Sequence, residues 1–288
     1  MALQTLIDGL CFAEGPRWHD GRLWFSDMHA PWVMTVDEAG RTDRIVEVPT
    51  QPSGLGWRPD GTLLIVSMTD RKLLQYKDGD LSPVADMYDL APWHCNDMVV
   101  DAKGRAYIGN FGFDLFAPDI DLSPEGLAKL PRTNLLLVDT DGHVREVAGD
   151  LGFPNGMVIT PDDKTLIVAE TLSRCLTAFD IKTDGSLSGR RVWAAFDDAA
   201  PDGICLDEAG GIWIASPMTQ SFLRVEEGGR ITHRLEADRQ AIACALGGTS
   251  GKTLFALTAE TTHPDQSKEL KSARIETAEA PYAHAGRP

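Results

Sequence analysis

Short runs of Leu, Ile, Val, Trp and Phe alternate along the chain with clusters of Asp, Gly, Asn, Pro and Ser. This punctuation predicts strands joined by tight turns, not amphipathic helices. One unit recurs: a small or polar residue, a short apolar strand, a Pro/Asp/Gly turn, and a second strand rich in Ile, Val, Leu and Trp. It reads EGPRWHDGRLWFSD from Glu14, SGLGWRPDGTLLIVS from Ser53, NDMVVDAKGRAYIGN from Asn96, NGMVITPDDKTLIVAE from Asn155, DGICLDEAGGIWIAS from Asp202 and, more weakly, ACALGGTSGKTLFALT from Ala243. The second residues of these copies, at 15, 54, 97, 156, 203 and 244, are separated by 39, 43, 59, 47 and 41 residues. The mean of about 46 accommodates four strands and their turns, the repeat length of a propeller blade.

Between the copies, stretches such as KLLQYKDGDLSPVADM and NLLLVDTDGHVREVAG break at Asp/Gly pairs into two short strands each, the pattern of a hairpin. Every repeat then supplies an inner strand A, a neighbour B and an outer C–D pair. A β-sandwich also has short strands and turns, but it has no repeat of this period. The expected fold is therefore all-β: a six-bladed β-propeller of four-stranded antiparallel blades, one domain over residues 1–288, leaving only short, protected edges. The sixth copy has a third strand at Arg274–Ala278 but no obvious fourth, so Thr5–Leu10 is expected to complete it and close the ring by joining the two ends of the chain. Helix is expected only over Pro124–Leu130, with Ser123 as its N-cap.

Lys and Arg total 27 against 43 Asp and Glu, a net charge of −16, and that field repels nucleic acid and anionic membrane surfaces. No apolar run approaches the roughly 18 residues of a membrane span, and the first residues lack the basic start and apolar stretch of a signal peptide. The cysteines Cys11, Cys95, Cys175, Cys205 and Cys244 are scattered, with no C-x-x-C; a reducing, cytoplasmic setting is expected. G-x-S-x-G and H-E-x-x-H are absent. Gly247–Thr253, GGTSGKT, is one residue short of a phosphate-binding loop and runs into a strand, so it is expected to be an A–B turn.

Aligning the copies puts Glu14, Ser53, Asn96, Asn155, Asp202 and Ala243 at the heads of the inner strands, where the chain enters the central channel. Carboxylates facing one another across a narrow channel repel unless something neutralises them. A divalent cation is the simplest occupant. Two carboxylates with one or two amide oxygens form a hard, all-oxygen set suited to calcium, magnesium or manganese, with zinc admitted but not indicated by ligand softness. Asn-Gly and Asp-Gly are also ordinary turn pairs, but that reading does not account for Glu in Glu14-Gly15-Pro16.

E-G-P at Glu14, N-D at Asn96, P-N-G at Pro154–Gly156 and P-D-G at Pro201–Gly203, each opening a blade, resemble the senescence marker protein/regucalcin and gluconolactonase family over almost the whole chain. The resemblance implies one divalent ion in the channel and, in the family's enzymes, hydrolysis of sugar or related lactones. It matches Glu14, Asn155 and Asp202 to metal ligands, Asn96 to a residue contacting substrate or metal, and Asp202 also to the general base. The family's sugar lactonases carry an Arg two residues before that Asn; here the position holds His94, a shorter donor that titrates near neutrality.

His94 and Asn96 are accordingly expected to bind substrate and to disfavour a ring of hydroxyls, with Trp93 beside them. The longest interval owes its excess to residues 111–132, a B–C connection expected beside the metal, where Phe111, Phe113, Leu115, Phe116 and Ile120 are expected to form an apolar lid. The expected function is a metal-dependent hydrolase that opens a small-molecule lactone with water activated at the cation. A phosphotriester or ester hydrolase on the same scaffold, and a non-enzymatic calcium-binding propeller, are the alternatives.

Overall fold

In the computed structural model, which describes residues 2–121 and 123–286, the second strand of a blade is covered on both faces by the blades beside it. Leu63–Ser67, Ala106–Asn110 and Ile212–Ser216 are buried at every position, which is why they read as unbroken apolar runs and not as alternating ones. The outermost strands touch solvent, and Thr42–Glu47 is correspondingly polar and exposed.

Six four-stranded antiparallel sheets result. Their inner strands are Ala13–His19, Pro52–Trp57, Cys95–Val100, Pro154–Ile159, Ile204–Leu206 and Gln240–Gly247 for blades 1 to 6. Adjacent blades share apolar seams: Leu55, Leu63 and Ile65 of blade 2 pack on Val33 of blade 1, and Met157, Leu166 and Val168 of blade 4 pack on Tyr107 and Leu135 of blade 3. The ring closes as expected. Gln4–Leu10 pairs antiparallel with Ala273–Glu279, setting Ile7 opposite Ile275 and Leu10 opposite Ala273.

The expected helix at Pro124 is shorter than the pattern suggests, spanning Pro124–Leu127. Ser123 does cap it, its Oγ accepting the Gly126 N–H at 3.1 Å. A second helix, Pro264–Leu270, lies in the B–C connection of blade 6 where none was expected. Its seven residues bury only Ser267, so it carries no apolar periodicity to betray it; Pro264 at its start and a left-handed Lys271 at its end are its only signals. The GGTSGKT segment is indeed the A–B turn of blade 6, and the Glu38 carboxylate of blade 1 accepts both the Thr249 N–H (3.1 Å) and hydroxyl (2.6 Å). No helix among the described residues is long and apolar enough to cross a membrane.

Candidate active site

Five of the six inner strands break register near their heads, the exception being Ile204–Leu206. In blades 1 to 4 the irregularity falls between Glu14 and Arg17, Pro52 and Leu55, Cys95 and Met98, and Pro154 and Met157. A bulge re-aims the side chain it contains, and here it turns Ser53, Asn96 and Asn155 into the channel, while Glu14 stands at the edge of its own. Asp202 enters from the segment just before its strand, its N–H bonded to the Ala215 carbonyl at 2.9 Å. The glycines that follow Ser53 and Asn155 have a packing reason, not a turn reason. A Cβ on Gly54 would lie 2.5 Å from the Met98 nitrogen, and one on Gly156 2.5 Å from the Ile204 nitrogen; only glycine lets neighbouring inner strands meet this closely at the axis.

A directional chain of hydrogen bonds orients the amides. The Pro201 carbonyl can only accept, and it takes the Thr171 hydroxyl proton at 2.8 Å. Thr171 Oγ1 therefore accepts from Asn155 Nδ2 at 3.2 Å, leaving Asn155 Oδ1 to accept from Asn96 Nδ2 at 3.0 Å. Asn96 Oδ1 in turn accepts the Ser53 hydroxyl at 3.1 Å. The carbonyl at one end thus decides which way every amide faces.

Three carboxylates surround this chain: Glu14 and Asp97 are buried, and Asp202 is half-buried. Among the described residues a single guanidinium answers them, Arg17 Nη2 donating to Asp97 at 2.9 Å. Burial, then the charges of Asp202 and Asp97, hold the Glu14 carboxyl well above its usual range, against the Gly15 N–H and Arg17. Burial, then Asp97, pushes Asp202 up to about 8, opposed by the polar Asn155 side chain. Asp97 is raised by burial and held back chiefly by Arg17. One oxygen of Asp202, Oδ1, is buried with no hydrogen-bond partner among the described residues. An unpartnered buried carboxylate oxygen facing a second underneutralised carboxylate, with amide oxygens alongside, fits an oxygen-preferring cation. No three His, Cys, Asp or Glu side chains gather as a metal cluster among the described residues; the donor set here depends on the amides.

Above these groups lies a cavity of 270 Å³ whose floor holds Glu14, Asn96, Asn155 and Asp202 and whose wall includes His94. All five residues singled out in the sequence therefore border one space. Burial lowers the His94 pKa, outweighing Asp114, so the ring is neutral at pH 7. The lid is only partly as expected. Phe111, Leu115 and Phe116 line the cavity, whereas Phe113 and Ile120 face other recesses. Trp93 does not line it either and instead stacks on the His94 ring at 5.0 Å between centroids.

Several lining residues escaped the sequence reading. The roof is completed by the blade 6 connection, with His263 against Phe116 at 5.6 Å and with Thr262 and Pro264 on the cavity. Thr171 was missed as the group that sets the amides. His29 also borders the space, stacked on Phe12 at 5.1 Å. Its Nε2 lies 3.3 Å from the Thr262 carbonyl, an acceptor, so Nε2 carries the proton; Nδ1 is left as a buried acceptor without a donor. Burial pushes the His29 pKa down to about 4. None of these positions carries a repeated motif, and the only available signal was their place just after a second strand.

Residues 12–260 match the family described as SMP-30/Gluconolactonase/LRE-like region. The chain is 29% identical over 269 residues to pentonolactonase XacC of Haloferax volcanii, covering 90% of this chain and 86% of that protein. It is 25% identical to regucalcin of Xenopus laevis, covering 85% and 82%. Among solved structures, a calcium-binding protein, regucalcin, from Agrobacterium tumefaciens superposes with a TM-score of 0.76 at 20% identity, over 98% of this chain and 96% of that one.

Proposed function

Since the chain belongs to the SMP-30/gluconolactonase/LRE-like family, we propose that it hydrolyses lactones with a divalent cation held by Glu14, Asn155 and Asp202. The observation that carries this reading is the unpartnered Oδ1 of Asp202, buried beside a second carboxylate at the floor of a ligand-sized cavity. Oxygen-only donors favour calcium over zinc, in keeping with the calcium-binding description of the Agrobacterium relative. When bound, the cation supplies Lewis acidity that polarises the lactone carbonyl and acidifies a water.

The chain's own residues do the rest. Asp202 takes the proton of the attacking water as its oxygen bonds to the carbonyl carbon. The ring C–O bond then breaks, the proton passes to the departing alkoxide, and a hydroxy acid is released. Asn96 and neutral His94 orient the substrate by hydrogen bonds. Phe111, Phe116 and Phe153 keep bulk water from the reacting bond.

A pH-indicator assay over aldonolactones, unsubstituted lactones, simple esters and phosphotriesters, with chelator and with added calcium, tests the reading. Acid release from lactones should vanish in chelator and return with calcium. Undiminished hydrolysis in chelator, preference for phosphotriesters, or metal binding with no turnover on any compound would each overturn it.

His94 also carries a specificity prediction. A neutral imidazole among aromatic rings satisfies few hydroxyls, and each one left unpaired on burial costs about 1–3 kcal/mol. Unsubstituted lactones should therefore be better substrates than aldonolactones of equal ring size. His94→Arg, which restores a forked, charged donor, should shift the ratio of their kcat/KM values toward the aldonolactone by about tenfold. A wild-type preference for the aldonolactone, or a ratio unmoved by the substitution, contradicts this role.

A further inference from the structure

A second cavity, of 600 Å³, opens on the same face of the propeller over blades 4 and 5, and hydrolysis of a bare ring makes no use of it. The two cavities have Leu115, Phe153, Thr171 and Asp202 in common. Asp202 therefore stands at their junction, reachable from both sides.

Both spaces are walled chiefly by apolar side chains, and they differ in the polar groups they reach. The first has the amides and His94 at its floor and wall. The second is walled by Leu115 and Leu127 from the blade 3 connection, Leu172 from blade 4, and Pro217 and Met218 from blade 5. Its larger polar groups are engaged elsewhere: Arg174 donates to the Asp197 carbonyl at 2.8 Å, and Gln240 to the Glu260 carbonyl at 3.2 Å. Met218 is 57% exposed, a flexible apolar side chain at the edge of a site, of the kind that adapts to apolar ligands of varied shape. Small-molecule sites span roughly 300–1,000 Å³, so this lobe alone exceeds the needs of a five- or six-membered ring.

Building on the lactone reading, we propose that the substrate is a lactone bearing an apolar arm, an alkyl or acyl chain of several carbons. The ring occupies the first cavity, the arm lies in the second, and the ester bond sits at the junction over Asp202. The arm gains from burial against Leu127, Leu172 and Met218, while the amides and His94 read the ring.

The test is kcat/KM on the calcium-loaded protein for an unsubstituted γ-lactone and its butyl, hexyl and octyl derivatives. Values should climb with chain length, by roughly two- to fourfold per methylene while the lobe is filling. Leu172→Trp and Met218→Trp, which fill the lobe from two different loops, should each cut the octyl lactone at least about tenfold and leave the unsubstituted one within about twofold. Met218 lies at the surface, so its variant keeps the test available if Leu172→Trp does not fold. A flat chain-length profile with good turnover of the bare ring overturns the arm but leaves the lactone reading standing. Variants that depress all substrates equally also overturn it. Absence of turnover on every lactone removes the premise and the inference together.

Discussion

Asp202→Asn should lower kcat on any lactone substrate by about a thousandfold or more while the protein stays folded. The substitution preserves shape and one carbonyl-type oxygen, but it removes the charge facing Glu14 and the only proposed proton acceptor on the cavity floor. General acid–base groups typically contribute 10² to 10⁴ in rate, and the weakened hold on the cation adds to that loss. The fold should not suffer. Asp202 lies half-buried beside other carboxylates, its pKa pushed up to about 8, so a neutral isostere relieves repulsion in the cation-free protein. Initial rates at saturating calcium, with a thermal melt of the same preparation, decide the matter; turnover within tenfold of wild type removes Asp202 from the chemistry.

Calcium should stabilise the cation-free protein much more at pH 8 than at pH 5. In the folded state the carboxyls of Glu14, Asp97 and Asp202 titrate above their usual values. The folded chain therefore holds more protons than the unfolded one from about pH 4 upward, and stability present at low pH is lost as pH rises toward about 8. A cation replaces those protons as the neutralising charge. Calcium at about a hundred times its Kd contributes roughly 2.7 kcal/mol, enough for about 4–5 °C in Tm for a chain of this size. At pH 5 the protons compete and the shift should shrink. Glu14→Gln, with one carboxylate fewer, should flatten the pH dependence of the cation-free Tm and weaken calcium binding without abolishing it. Equal calcium shifts at the two pH values, or none, would contradict a cation between Glu14 and Asp202.

The architecture was legible in the sequence because a blade's defining contact is local. An inner strand pairs with the strand that follows it, so the period of NDMVVDAKGRAYIGN and its relatives carries the pairing directly. Ring closure was legible by subtraction, since the sixth repeat was one strand short and Thr5–Leu10 was left over. The side chains at the channel were legible for the same reason: equivalent positions in a radial repeat point toward one axis, so Glu14, Asn96, Asn155 and Asp202 converge however far apart they lie in the chain.

What the repeat does not encode is decided where blades meet. The role of the glycines after Asn155 and Asp202 appears only when inner strands of neighbouring blades are seen within contact distance. The orientation of Asn155 depends on Thr171 and on the Pro201 carbonyl, a partner brought in by the next blade. His29, His263 and the blade 3 lid meet over the cavity from three separate B–C connections. These connections carry no common motif, because the inter-blade geometry that brings them together constrains where they start and end and not what they contain. The sequence by itself determined the blades, their number and the polar ring at their hub; the tertiary structure decided which way the amides face, what roofs the cavity, and that Asp202 stands between two cavities, because those depend on contacts between elements remote in the chain.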